Sequence, residues 1–192
     1  PVEKVTTTKQ LIDNKSLANL KIKCIILKHN NIRERMTYAE ELQFLGEHES
    51  RNDFLAGLLM HLSGNTLCLY QLVEKHGKPL YEAAKKSQKE GFFDDKLRKI
   101  FFIYGNTSTT EREDIRSIVE NETNSITIAS YGTFSTGINI RNIHNIVLAS
   151  PSKSRIRVLQ SIGRGLRQGE NKNSVLIFDI ADDMTFRNQP NF

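Results

Sequence analysis

Along this chain, short apolar runs and amphipathic stretches take turns. "NLKIKCIILKHN" (19–30) alternates and then runs apolar, which predicts a strand. Between about residues 35 and 62 the spacing turns helical in two pieces. There, "SRNDFLAGLLMHL" puts Phe54, Leu58 and His61 at i, i+4 and i+7, beside Leu55, Leu59 and Leu62. Ser50 and Asn52 are its candidate N-caps. Further on, strands are predicted at 65–71, 99–105, 125–130, 144–150 and 174–180, with helices at 78–91, 108–121 and 153–167. Pro79 and Gly91 punctuate the first of these helices, and Ser108 with Glu111 has the spacing of a capping box. Continuous apolar strands need cover on both faces, so the pattern predicts an α/β fold with a parallel β-sheet flanked by helices. Such a sheet gathers the loops after its strands at one edge, and function is expected there.

Three segments carry unusual chemistry. "YGNTSTTE" (104–111) presents Gly105, Asn106, Thr107 and Ser108 where a helix begins, with free N–H groups facing an incoming anion. "ASYGTFSTGIN" (129–139) packs two glycines, two threonines and two serines into nine positions. It reads as a β–α loop able to lay N–H groups and hydroxyls along a phosphate chain. In "KSRIRVLQSIGRGLR" (153–167), Ile156, Leu159, Gly163 and Leu166 are the expected buried stripe, and Gln160, Arg164 and Arg167 share the adjoining face. Gly163 and Gly165 each cost a helix roughly 1 kcal/mol relative to Ala, which makes sense where a backbone or ligand comes close. Two guanidinium forks one turn apart suit the spread charge of a phosphoryl group in transit; lysine lacks that bidentate geometry. The bland alternatives are a capped helix, a flexible crossover and a solvated basic face.

Composition narrows the picture. Of 192 residues, 38% are hydrophobic and 26% charged, an ordinary globular profile. No apolar run is long enough for a membrane helix, and no secretory signal is read at "PVEKVTTTKQ". The chain is expected to be a piece of something longer. Cys24 and Cys68, each in an apolar run, are expected as reduced, buried thiols of a cytoplasmic protein, and the five histidines show no metal spacing. The net charge is +5. Residues 151–172 hold six bases (Lys153, Arg155, Arg157, Arg164, Arg167, Lys172) against one acid, Glu170, and so carry the entire excess. An anionic partner is expected at that segment.

In order, these segments resemble the motifs of the second RecA-like domain of superfamily-two helicases and translocases. "QSIGRGLR" (160–167) is similar to motif VI, Q-x-x-G-R-x-x-R; "SYGTFSTGINI" (130–140) to motif V; and "NTLCLYQ" (65–71) with the following helix to motif IV. The resemblance covers roughly residues 50–181. It implies that Gln160, Arg164 and Arg167 face ATP held by a partner domain, with the two arginines as fingers and Gly137 and Asn139 near the nucleotide. It also implies nucleic-acid backbone contacts from Gln71, Asn106, Thr107, Ser130, Thr133 and Thr136. Two positions depart from the pattern: Asn139 stands where Asp is more common, and Tyr131 where many relatives have Thr, which passes a phosphate contact to Ser130 or Thr133.

Half of such a motor is missing. No G-x-x-x-x-G-K-[ST] loop occurs; "HGKP" (76–79) and "QGENKNS" (168–174) both fail the pattern, and no D-E-x-[HD] box exists. "FDIADD" (178–183) follows motif VI and cannot replace that box. Residues 50–192 are therefore expected to form the C-terminal RecA-like domain, and residues 1–49 a strand and helix leading from a missing N-terminal motor domain. ATP and Mg²⁺ are expected to be held mainly by that domain, with no metal site and no membrane partner here. By resemblance the other partner is DNA in branched recombination and repair intermediates, with RNA–DNA hybrids as a further substrate. A non-enzymatic nucleic-acid-binding module is the alternative. A dinucleotide enzyme is disfavoured, because no G-x-G-x-x-G follows a strand.

Overall fold

The computed structural model describes residues 18–29, 32, 35–91, 98–167, 172 and 174–185, with backbone alone at 136 and 137. In chain order its elements are β1 (Asn19–Lys28), α1 (Tyr38–Glu47), α2 (Glu49–His61), β2 (Thr66–Tyr70), a single π-helical turn (Val73–Gly77) and α3 (Lys78–Lys89). They continue with β3 (Ile100–Ile103), α4 (Thr109–Asn121), β4 (Ile126–Ser130), α5 (Tyr131–Gly137), β5 (Asn145–Leu148), α6 (Arg155–Gly165) and β6 (Ser174–Asp183).

The six strands form one sheet in the order β1-β6-β5-β2-β4-β3, and every pairing is parallel. β2, β4 and β5 are buried at every position, as their unbroken apolar runs require. Successive residues alternate between two cores. Leu67 and Leu69 enter one with Ile115, Phe134 and Leu166; Cys68 and Tyr70 enter the other with Leu55, Leu59 and Leu80. Helices α4, α5 and α6 thus cover one face, and α2 and α3 the other. The segment ahead of residue 50, expected to hold a strand and a helix, supplies the edge strand: β1 pairs with β6 from Asn19↔Ser174 to Lys28↔Asp183.

Several local expectations need correction. The N-cap of α2 is His48, whose Nδ1 accepts from the Arg51 amide at 3.3 Å; Ser50 and Asn52 lie inside the helix. Asn52 instead donates its side-chain amide to the Gly46 carbonyl at 2.8 Å. The stripe that packs runs through Leu55, Ala56 and Leu59, while Phe54 and His61 are exposed. Cys24 is exposed on the edge strand, and only Cys68 is buried. The glycine- and hydroxyl-rich stretch after β4 is not a loop. It turns straight into α5, because Ser130 accepts the Thr133 amide as N-cap and Phe134 and Tyr131 fill the core. No described helix is long and apolar enough to cross a membrane.

At the edge formed by the strand C-termini, a buried polar network ties the elements together. Arg51 is only 2% exposed and donates to both oxygens of Asp182, Nε to Oδ1 and Nη2 to Oδ2, each at 2.8 Å. Its Nη2 also reaches the Ala149 carbonyl at 2.8 Å, and His29 Nε2 lies 2.8 Å from Asp182 Oδ1. One carboxylate therefore joins β1, β6 and α2, and its guanidinium partner fixes the exit of β5. Next along the chain, the Ser150 hydroxyl accepts from the Gln71 amide (3.1 Å) and pairs with His76 Nδ1 (2.7 Å). The Tyr131 hydroxyl donates to the Ser150 carbonyl at 3.1 Å.

Two outcomes follow for stability. Replacing Asp182 by Ala strands a buried guanidinium and is expected to cost about 3–5 kcal/mol in urea unfolding. For His76, burial first, and the positive field of Arg51 next, pull its pKa down to about 3. The neutral ring is then the folded form. Its contribution is complete above the unfolded value near 6.5 and is lost as pH falls toward 3, at up to about 1.4 kcal/mol per pH unit. The His76→Gln variant should flatten the acid limb of the stability profile by about one proton; an unchanged slope would count against this assignment.

Candidate functional site

Four strand ends build an open groove of about 450 Å³ at the C-terminal edge, lined by Gln71, Gly105, Ser130, Thr133, Arg112 and Arg157 among others. Each side chain is placed by the local fold. Gln71 follows β2 and is tethered through its amide to Ser150. Gly105 follows β3, and Arg112, one turn into α4, bonds its carbonyl (2.7 Å) and that of Tyr104 (3.3 Å). Ser130 and Thr133 open α5 with their hydroxyls 2.7 Å apart. Arg157, in the first turn of α6, is exposed and contributes a second guanidinium.

Of the expected backbone contacts, Gln71, Ser130 and Thr133 meet in this groove, and Asn106 is exposed beside Gly105. Thr107 is buried and accepts the Tyr104 amide at 3.1 Å, so its hydroxyl shapes the loop rather than projecting from it. The side chains of Thr136 and Gly137 lie outside the described residues. Arg112 was not anticipated, and Arg157 was expected only as one of six bases in a segment facing an anion. Each sits in the opening turns of a helix that starts at the functional edge, and that position is the signal that could have found them. Two guanidinium groups above hydroxyl and amide groups suit a polyanionic backbone.

Gln160, Arg164 and Arg167 are elsewhere, and this corrects the expectation of a single functional edge. α6 starts beyond the end of β5 and runs back across the sheet. Just past its last turn the Leu166 carbonyl accepts from the amide of Ala18, which immediately precedes β1. The arginine pair therefore lies toward the strand N-termini. There Arg164 Nη1 donates to the Ile138 carbonyl (2.9 Å) and Arg167 Nη1 to Asn139 Oδ1 (2.5 Å), immediately after α5 ends at Gly137. The two segments that carry Arg164, Arg167 and Asn139 are thus in direct contact, and Gln160 is exposed on the same helix.

The buried stripe of α6 is also rotated from the one expected. Ile156 is 69% and Leu159 54% exposed, whereas Ser161 and Gly165 are buried and Val158, Ile162 and Leu166 pack on the core. A helix on a flat buried sheet needs a small residue at closest approach: a Cβ on Gly165 would sit 2.3 Å from Ile146 Cδ1. Gly163 faces open space instead.

The family profile of the helicase conserved C-terminal domain matches residues 50–169, and that span includes the groove and both arginines. The chain belongs to this family. As a helicase C-terminal domain it is 32% identical over 186 residues to the ATP-dependent DNA helicase uvsW of Enterobacteria phage T4, covering 93% of the chain and 35% of that relative. The crystal structure of T4 UvsW superposes with a TM-score of 0.70 over 88% of the chain and 33% of that structure. More distant likenesses carry the fold alone. The C-terminal domain of the DEAD-box protein Dbp5 has a TM-score of 0.54 at 16% identity, covering 90% of this chain and 81% of that one. The Type ISP restriction-modification enzyme LlaBIII has a TM-score of 0.58 at 14% identity, covering 88% and 12%. The chain spans about a third of the length of UvsW.

The two glycines of α6 can be told apart by substitution. Gly163→Ala should raise stability by up to about 1 kcal/mol, because nothing opposes the methyl and helix propensity improves. Gly165→Ala should show no gain, since the Ile146 methyl must move. Equal thermal shifts in the two variants would contradict this packing.

Proposed function

We propose that this helicase C-terminal domain is the second half of an ATP-dependent DNA motor acting on branched recombination and repair intermediates. The observation that carries the reading is the pairing of Arg164 and Arg167 with Ile138 and Asn139. Two guanidinium groups one helical turn apart are oriented there on an accessible face, separate from the groove. Chemistry needs a second wall. The chain lacks a phosphate-cradling loop, so ATP and its Mg²⁺ would be held mainly by an N-terminal RecA-like domain of the same protein. Among the described residues, no three His, Cys, Asp or Glu side chains are grouped to hold a metal. Bound at the phosphates, Mg²⁺ neutralises part of their charge.

This chain's own residues would then act in three ways. Arg164 and Arg167 present N–H groups to the γ-phosphate as the domains close, where a finger contributes on the order of 10³–10⁵ in rate. Gln160 and the 137–139 segment border the same nucleotide. The groove residues Gln71, Asn106, Ser130 and Thr133, with Arg112 and Arg157, hold the DNA backbone; Thr107 shapes its loop, and Thr136 belongs to the same helix as Thr133. Contacts of this kind are largely independent of sequence and sensitive to salt. RNA–DNA hybrids offer the same phosphates. The protein would work in the cytoplasm, the host's if phage-encoded.

In the full-length protein, Arg167→Ala should lower DNA-stimulated ATPase by on the order of 10³-fold while leaving DNA binding within about twofold. Normal turnover in that variant overturns the finger assignment. Tight DNA binding by residues 1–192 alone, unaffected by a non-hydrolysable ATP analogue in the full-length protein, would favour a non-enzymatic binding module instead.

A further inference from the structure

We infer that Lys172 is a positioning residue for the arginine pair: its buried ammonium fixes the spacing between the end of α6 and the segment that follows α5. The inference rests on the reading of Arg164 and Arg167 as the groups that meet ATP.

Lys172 is 2% exposed, and its Nζ donates to two backbone carbonyls at 2.6 Å, that of Gly165 and that of Arg141. Gly165 lies between Arg164 and Arg167, at the last turn of α6. Arg141 is two residues beyond Asn139, on the stretch the arginines also touch. Three cations thus sit along one short rail: Arg164 on the Ile138 carbonyl, Arg167 on Asn139 and Lys172 on the Arg141 carbonyl. The rail is anchored from its other side. Glu120, near the end of α4, accepts the amides of Arg141 (2.6 Å) and Asn142 (3.1 Å). Asn142 returns three bonds from its side-chain amide to the carbonyls of Val119, Glu120 and Glu122.

Stability alone is a poor reason for this lysine. Burial opposes its charge and lowers its pKa to about 8, with only Glu120 working the other way. An apolar side chain of similar length would avoid that cost, but would leave the Gly165 and Arg141 carbonyls without this donor. What hydrocarbon cannot do is hold two carbonyls from different segments at hydrogen-bond distance, and the last carbonyls of a helix are natural acceptors for a cation. Fixing that gap sets where both arginines point. Lys172 touches no reacting atom on this reading, so its effect belongs in turnover rather than in affinity.

The test uses the full-length protein and reads kcat, the KM for ATP, the Kd for DNA and the melting temperature together. Lys172→Met is expected to lower kcat about 10- to 100-fold, the scale of a misplaced catalytic group, with KM and Kd within twofold. Lys172→Arg should recover most of that loss by donating to the same carbonyls. A folded Lys172→Met enzyme with wild-type kcat overturns the inference, and so does an Arg variant no better than Met. A second arm separates positioning from general support. In a background carrying both Arg164→Lys and Arg167→Lys, the Lys172 substitution should cost less than twofold, because the geometry it protects has already gone. A further tenfold loss there overturns the inference. If Lys172→Met fails to fold, Lys172→Gln takes its place in both backgrounds under the same criteria. An Arg167→Ala enzyme that still turns over sinks the proposed function. A dead Arg167→Ala beside an unaffected Lys172→Met sinks only this inference.

Discussion

A parallel sheet buried on both faces forces each connecting helix to run antiparallel to its strands, from one edge of the sheet to the other. Everything functional here follows from that constraint. α6 leaves the C-terminal edge at Arg155 and, over eleven residues, travels about 16 Å before it ends beside the strand N-termini. Its first turn puts Arg157 in the groove, and its last turn puts Arg164 on Ile138. α5 repeats the geometry on a smaller scale, with Ser130 and Thr133 at the groove and Gly137 leading to Asn139 at the arginine face. Two short rigid helices therefore each touch both surfaces.

The same geometry explains how one basic segment serves different ends. The six bases between residues 151 and 172 do not share one environment. Lys153 lies 4.1 Å from the centre of the Tyr38 ring, Arg157 lines the groove, Arg164 and Arg167 bond the 138–139 segment, and Lys172 is buried between two carbonyls. Of the six, only Arg155 is left with no described partner role. The excess of +5 is distributed over two surfaces and a structural clamp, so net charge alone says little about where an anion would bind.

The periodic parts of the sequence spoke clearly. Runs such as "TLCLY" and "NIVL" became central parallel strands, and the strands and helices predicted after residue 60 lie close to where hydrophobic spacing puts them. The failures share a cause, the inability of spacing to see a neighbour. On α6, Ile156, Leu159 and Gly163 looked like core; the sheet selected the opposite side, and of the two glycines expected at a close approach only Gly165 makes one, against Ile146. His48 capped α2 in place of the better cap formers Ser50 and Asn52. In "SYGTFSTG" the small hydroxyl residues suggested a loop, although Tyr131 and Phe134 supply enough buried area to hold a two-turn helix. Arg112, Arg157 and Lys172 gain their meaning from carbonyls and groove walls outside their own periodic stretch, which spacing does not register.

The neutral side chain at 139 fits this arrangement in a way a carboxylate would not. In the structure Arg167 is held by an amide oxygen. A carboxylate there would add the attraction of opposite charges and a second acceptor oxygen for the fork, and so would keep the guanidinium on the rail more firmly. On the proposed reading, Arg167 must leave that acceptor whenever a γ-phosphate arrives, and the strength of the contact it abandons is subtracted from the strength of the contact it makes. Asn139 orients the fork without competing with a phosphate for it. Lys172, by contrast, is buried, and its two acceptors are backbone carbonyls, of Gly165 and Arg141. On the proposed reading the rail thus separates a cation that fixes geometry from cations that transfer to a phosphate, and the chemistry of each acceptor matches the task of its donor.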